Sequence, residues 1–265
     1  MTSLSDALLV DRNLREAMSF YAGVNEESRI HHLPGVLAIF CGRNYPVFNI
    51  ALLEARGKGN LKAEVNAALA HYRSLHCSFC FWMCHDLVEQ NFLAEIRNTV
   101  FPAKGFFKLS EPPGMILTTP PPQPKRKQPP LVFKKVEDPS SRTTFCHLTT
   151  MIFEIPFGIT QAMYGSALGW TEEYEGWIAF ENNQPVAIAL IVYSPGAAGF
   201  YSIGVLPYLR RKGIGESTLR WCMQRAERKG SNRFVLQSSD AGLPLYKRMG
   251  FKEVTRFSVF KSREK

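Results

Sequence analysis

The chain of 265 residues lacks a long apolar run, and its six cysteines are scattered. The longest uncharged segment, Asn182 to Leu209, is interrupted by Pro185, Pro195, Gly196, Gly199 and Gly204, leaving only Val186 to Val192 continuously apolar. A membrane helix needs about 20 apolar residues, so this stretch is a buried strand and no membrane partner is expected. The opening residues, MTSLSDALLVDRNLREAM, have no basic lead-in and are cut by Asp6 and Asp11, which does not fit a secretory signal. Three cysteines, Cys77, Cys80 and Cys84, precede His85 in CSFCFWMCH, but no second ligand pair follows at finger spacing. Period-2 alternation instead puts Cys77, Phe79, Phe81 and Met83 on one face and Ser78, Cys80, Trp82 and Cys84 on the other. The stretch reads as a buried strand with reduced thiols and no metal, which fits a cytoplasmic protein.

What is present is basic charge, placed unevenly. The formal charge is +9; residues 1–118 hold 11 Lys/Arg against 11 Asp/Glu, and the remainder 21 against 12. Such an excess predicts an acidic partner: nucleic acid, anionic lipid or a polyphosphate cofactor. The stretch TTPPPQPKRKQPP, from Thr118 to Pro130, combines six prolines with Lys125-Arg126-Lys127 and can form neither helix nor central strand. It divides the chain into residues 1–118, a stiff linker at 119–130 and residues 131–265, with the basic triplet read as solvated.

In the first part, helix is expected from Ser3 to about Ala22 and strands at Gly35–Cys41 and Tyr45–Leu53. A helix at Leu61–Leu75, the cysteine strand, a helix at Leu87–Val100 and strands at Gly105–Leu109 and Met115–Leu117 follow. His31 and His32, before Leu33-Pro34-Gly35, are read as surface residues in a turn. No catalytic constellation is visible there.

The second part opens with a strand at 131–136. Asp138-Pro139-Ser140-Ser141 then start a helix to about Phe153, and another runs from about Pro156 to Tyr164. Strands are expected at Gly176–Glu181, Pro185–Ser194 and Gly199–Val205. Pro207 stops the last of these, and Arg210, Gly213 and Gly215 lead into a helix whose Leu219, Cys222, Met223 and Ala226 recur at three-to-four spacing. The free N–H groups of that first turn, two glycines that allow close approach, and the run Arg210-Arg211-Lys212 together suit a pyrophosphate. The stretch lacks the Gly-Lys-Ser/Thr of a nucleotide P-loop and the first glycine of a dinucleotide fingerprint. Downstream, VLQSSDAGLPLYKRMGFKEV gives a strand, a polar turn, a short helix bearing Tyr246, and a strand entered at Gly250-Phe251.

The motifs V-x-P-x-x-R-x-x-G-x-G at Val205–Gly215 and L-Y-x-x-x-G-F at Leu245–Phe251 resemble those of the GNAT superfamily of acetyl-CoA-dependent N-acetyltransferases. The resemblance covers about residues 131–260. It implies an α+β fold with mixed, mainly antiparallel sheets flanked by helices, and a splayed fourth and fifth strand in the C-terminal half. It further implies that pantetheine lies against Ile203, Gly204 and Val205, that pyrophosphate rests on the amides from Arg211 through Lys212, Gly213 and Ile214 to Gly215 with Arg210 leading, and that Tyr246 protonates the departing thiolate. Ser239 stands where many members carry a cofactor-contacting asparagine. GVLAIFCG, YPVFNIALLEA and NFLAEIRNTVFPAKGFFKL also make the N-terminal half resemble a degenerate copy of the fold, without Arg-x-x-Gly-x-Gly and hence without a second cofactor site.

The expected activity is therefore direct acetyl transfer from acetyl-CoA to a primary amine, of a small molecule in preference to a protein. A non-catalytic acyl-CoA sensor is the alternative. Nucleic acid is not expected, because the charge gathers at the linker and the glycine loop rather than along one helix with interleaved aromatics. Glu154, Glu172, Glu173 and Glu175 are candidate bases, none preferred over a water relay, and the oligomeric state, a homodimer included, is left open.

Overall fold

A computed structural model describes residues 4–54 and 60–263; Ser3, the expected helix start, lies outside the described residues. The N-terminal elements are α1 (Leu4–Ser19), β1 (Arg29–Leu33), β2 (Val36–Phe40), β3 (Ile50–Leu53), α2 (Leu61–Ser74), β4 (Cys80–Cys84), α3 (Gln90–Glu95), α4 (Phe101–Ala103), β5 (Phe106–Ser110) and β6 (Pro113–Leu117). The C-terminal elements are β7 (Val132–Lys135), α5 (Pro139–Phe153), α6 (Phe157–Tyr164), β8 (Tyr174–Glu181), β9 (Gln184–Ser194), β10 (Ala197–Val205), α7 (Ile214–Arg228), β11 (Phe234–Gln237), α8 (Leu243–Arg248) and β12 (Lys252–Ser262). The fold is α+β, with mainly antiparallel strands flanked by helices, as the sequence leads one to expect. The chain forms two compact units: Met1–Met115 with Gln237–Asp240 and Glu253–Lys265, and Ile116–Leu236 with Ala241–Lys252. The closing strand thus groups with the first unit, whereas division at the linker alone keeps it with the second half.

In the first unit β1, β2 and β3 pair antiparallel, β3 runs parallel to β4, and β12 lies antiparallel to β4 and to β5. Phe79, Phe81 and Met83 face one core with Cys77 packed beside them, meeting Val36, Ala38, Ala51 and the Val65, Ala68 and Tyr72 face of α2. Tyr72 stacks on Phe79 at 4.1 Å, and its hydroxyl donates to the carbonyls of Ile39 or Ile50 while accepting from Ile39 N. Two expectations change here. His31 and His32 lie in β1, paired opposite Ala38 and Leu37, and the turn falls later, at Gly35 with φ 70°. The expected strand at Tyr45 begins only at Ile50, because Phe48 N and Asn49 N both turn back to Tyr45 O. The Asn49 carboxamide fixes that turn through Cys41 N, Arg43 O and Ser78 O.

In the second unit β7, β8, β9 and β10 form an antiparallel series and β11 joins β10 in parallel. Asp138 and Ser141 make a capping box with Pro139 in the first turn, so α5 starts where the polar cluster places it. A β-carbon at Gly204 would run into Ile152 of α5, while Val205 faces Gly215 of α7, so the two helices cover opposite faces of β10. Trp221 on α7 stacks on Phe133 at 4.4 Å and meets Trp177 edge-on. Beside this aromatic group, buried Glu175 accepts from Arg225 at 2.8 and 3.0 Å, Lys229 at 3.2 Å, and the Tyr193 hydroxyl and Trp177 Nε1 at 3.2 Å. Burial alone would raise the Glu175 pKa, but the Arg225 hydrogen bond and the two cationic charges outweigh it and set it at about 2. The network fastens the C-terminal end of α7 to β8 and β9.

Candidate active site

β10 contains nine residues, yet its ladder with β11 holds only two pairs, Ala198 with Phe234 and Gly199 with Val235. Beyond them, among the described residues, β10 has strand pairing with β9 on one side only. On that side Tyr201 pairs with Leu190 and Gly204 with Ile188, so Ser202 and Ile203 together oppose Ala189. This is a β-bulge, and Ser202 sits in it with φ 47°, a conformation that costs a non-glycine residue on the order of 1 kcal/mol or more. The bulge re-aims the backbone of Ser202 to Gly204 at the point where the neighbouring strand has left. Extended polar backbone with no ladder partner is suited to an amide-bearing ligand lying along it.

The strand leads through a 3-10 turn, Pro207–Leu209, into the glycine loop. Arg211 has φ 67°, Gly213 has φ 87°, and Gly213 is the N-cap of α7 with no side-chain cap. Among the described residues no acceptor meets the amides of Arg211 to Gly215, whereas Ser217 N already donates to Gly213 O at 3.0 Å. Five consecutive open N–H groups at the positive end of a 15-residue helix are an arrangement that suits an anion. A β-carbon at Gly215 would stand between Val205 at 3.5 Å and Leu245 of α8 at 4.0 Å, so the missing side chain leaves an opening between β10 and α8. Arg210 takes a different part from the residues after it. Its guanidinium donates to Val205 O at 3.3 Å and Ile152 O at 3.2 Å, joining the loop to the ends of β10 and α5.

Tyr246 is on α8, half-buried, with its ring edge-on to Phe251 at 5.8 Å. Burial pushes its phenol up to about 12, so it is protonated at neutral pH, and the hydroxyl has no hydrogen-bond partner among the described residues. Ser239 lies in segment 237–240 of the first unit, beyond the end of β11, and is not among the residues that the second unit brings together. Of the candidate bases, Glu175 is committed to the network above, and the Thr171 hydroxyl at 2.5 Å holds Glu173 below the usual carboxylate range. Glu172 is exposed beside Lys229, and Glu154 is exposed at the C-cap of α5 with φ 58°. Sequence reasoning missed Ser202: a left-handed bulge residue inside an apolar strand leaves no compositional sign.

Among the described residues no three of the His, Cys, Asp and Glu side chains converge to hold a metal ion. Cys80 and Cys84 are buried thiols, each pushed up to about 12 by burial. No helix among the described residues is long and apolar enough to cross a membrane.

Residues 144–251 match the model of the acetyltransferase (GNAT) family, a span that contains the last two-thirds of α5, the bulge, the glycine loop and Tyr246. No curated protein matches the chain. Among solved structures, the chain is similar to a GCN5-related N-acetyltransferase from Kribbella flavida, at 13% identity over 97% of this chain and 95% of that one, with a TM-score of 0.70. It is similar too to a functionally unknown conserved protein from Staphylococcus epidermidis, at 17% identity over 89% and 94% with a TM-score of 0.63. A GCN5-related N-acetyltransferase from Sphaerobacter thermophilus follows at 16% identity over 86% and 76%, with a TM-score of 0.57.

Proposed function

We propose that the chain, whose residues 144–251 match the GNAT acetyltransferase family model, is an acyltransferase that binds acetyl-CoA and passes its acetyl group directly to a primary amine of a small molecule. One observation carries the reading: the β10–β11 ladder stops after two pairs, and the unpaired remainder of β10 leads into a loop with five open amides. The residues fit the cosubstrate of this family. Ser202 to Val205 would run beside pantetheine, and Arg211 to Gly215 would cradle the diphosphate.

Acetyl-CoA supplies an acetyl group activated as a thioester; the chain supplies placement and polarity. A backbone N–H of the bulge is available to polarise the carbonyl, which strengthens as charge grows on oxygen. Tyr246 faces the leaving sulfur's need. With a phenol at about 12 and a thiol ordinarily near about 8.5, full proton transfer is uphill by about 5 kcal/mol, so Tyr246 acts by donating a hydrogen bond to the thiolate. The amine arrives neutral or loses its proton to water, since Glu154, Glu172, Glu173 and Glu175 are each either engaged or solvent-facing.

The acceptor class is supported by a cleft of ≈ 580 Å³ between α5, the β8–β9 turn and the turn at 206–209. Leu148, Met151, Val186, Leu206 and Tyr208 give it an apolar wall and Glu181 supplies a carboxylate, a combination that suits an amphipathic amine. Cytoplasmic residence belongs to the same reading and is supported by six free cysteines. The test is thiol release from acetyl-CoA over a panel of small amines, beside acetyl-CoA-dependent thermal stabilisation. Stabilisation with turnover of at least one small amine is expected; stabilisation without turnover of any amine would make the chain a sensor, and no stabilisation would refute the site.

A further inference from the structure

We propose that the linker triplet Lys125-Arg126-Lys127 is part of the same binding site and grips the 3′-phosphate at the nucleotide end of CoA. The inference rests on the reading of the glycine loop given above.

The linker is not a loose tether. Arg220 of α7 donates to Pro122 O at 2.6 Å, Pro122 also borders Gly250, and Pro129 Cδ lies 3.5 Å from where a β-carbon of Gly213 would be. The linker therefore runs antiparallel to the first two turns of α7 and ends against the glycine loop. Its length exceeds that path. Seven residue steps of extended chain cover about 22 Å, while the seven helical steps from Gly213 to Arg220 rise only about 10.5 Å. The excess must bow outward, and residues 125 and 126 form a bend there with all three basic side chains exposed.

The charges gathered by this course have no counterpart in the protein. Among the described residues none of Lys125, Arg126, Lys127, Arg211 and Lys212 has an acidic partner, and the acid of the first turn, Glu216, is engaged by Arg220 at 2.8 Å. Five cations beside a helix N-terminus repel one another and the helix dipole alike, an arrangement that an anion relieves. The open amides serve one phosphate group; the triplet, displaced along the helix, serves another. Gln128 Oε1, next to Pro129, has no donor among the described residues; as an acceptor it suits a hydroxyl or amino group of the nucleotide, not its phosphate. A ligand with a diphosphate and a separate ribose phosphate matches both places.

The test compares CoA with 3′-dephospho-CoA by calorimetry on the full chain, for the wild type and for the variant Lys125→Ser/Arg126→Ser/Lys127→Ser. Three exposed charge contacts together give a factor of about ten in affinity. The expected result is wild-type preference for CoA, an about tenfold loss for CoA in the variant, and unchanged dephospho-CoA binding. Equal losses for both ligands, or no loss for either, overturn the proposal. A wild type that binds neither refutes the glycine-loop reading itself. A variant that loses a single-stranded oligonucleotide while keeping CoA assigns the triplet to nucleic acid and overturns the proposal as well. Because the three side chains are exposed, an unchanged unfolding midpoint accompanies every valid comparison.

Discussion

Gly215→Glu separates binding from folding at the place where the two are normally hardest to separate. The β-carbon would meet only ordinary contacts, at 3.5 Å to Val205 and 4.0 Å to Leu245, and Gly215 has no positive φ. Replacing a helical glycine by glutamate gains up to about 1 kcal/mol of helix propensity, and an acid in the first turn favours the dipole. The free protein should therefore be as stable as the wild type or slightly more so. Binding should respond oppositely. A carboxylate at about 5 Å from a doubly charged diphosphate is repelled by about 1.7 kcal/mol at the permittivity of water and about 7 kcal/mol at an effective value of 20. The dissociation constant for acetyl-CoA should rise at least about 15-fold. Calorimetry and thermal unfolding on the same preparation read both quantities. Wild-type affinity in a folded Gly215→Glu protein would refute the placement of the diphosphate. Gly213 is a poorer probe, since its φ of 87° strains any replacement and confuses loss of fold with loss of binding.

Tyr246→Phe should leave acetyl-CoA affinity unchanged and lower kcat by about 10- to 100-fold, the worth of one hydrogen bond to a charged leaving group; steady-state kinetics with an unchanged kcat would remove Tyr246 from the chemistry. Glu175→Gln should destabilise the second unit by about 2 to 3 kcal/mol, because Arg225 and Lys229 lose the buried charge they surround. The pH dependence follows from the depressed Glu175 pKa: its stabilisation is present above the unfolded value of 4.5 and lost as pH falls toward about 2, so wild type and Glu175→Gln should converge in stability across that window, and parallel acid-unfolding curves would contradict the assignment. Asn49→Ala should cost about 2 kcal/mol by leaving Cys41 N without its acceptor and freeing the Tyr45–Asn49 turn, measured by denaturant unfolding.

The elements that were legible in the sequence are those whose local pattern and long-range packing agree. The three-to-four spacing of Leu219, Cys222, Met223 and Ala226 marks α7, and all four side chains are buried. Alternation in the cysteine strand separates Phe81 and Met83 from Cys80 and Cys84 as the core does. What escaped depends on contacts distant in sequence. β1 carries Arg29, His31 and His32, a polar run that becomes a strand only by pairing with β2. The turn before Ile50 depends on Asn49 bonding Ser78, 29 residues away. The closing strand pairs with β4 at a separation of more than 170 residues, which no local pattern encodes. At the site, two glycines and a run of basic residues announced the loop, but the bulge at Ser202 and the inward bonds of Arg210 are products of tertiary packing. Glu175 shows the limit from the other side: four nearby carboxylates look alike in sequence, and only burial beside Arg225 and Lys229 distinguishes the structural one.

Amide hydrogen exchange at the glycine loop, with and without CoA, probes the central claim most directly. The amides of Arg211 to Gly215 should exchange rapidly in the free protein, where nothing accepts from them, and become protected when CoA is added, while the middle of α7 stays protected throughout. Protection of those five amides in the free protein, or exchange that CoA leaves unchanged at saturating concentration, would contradict the account.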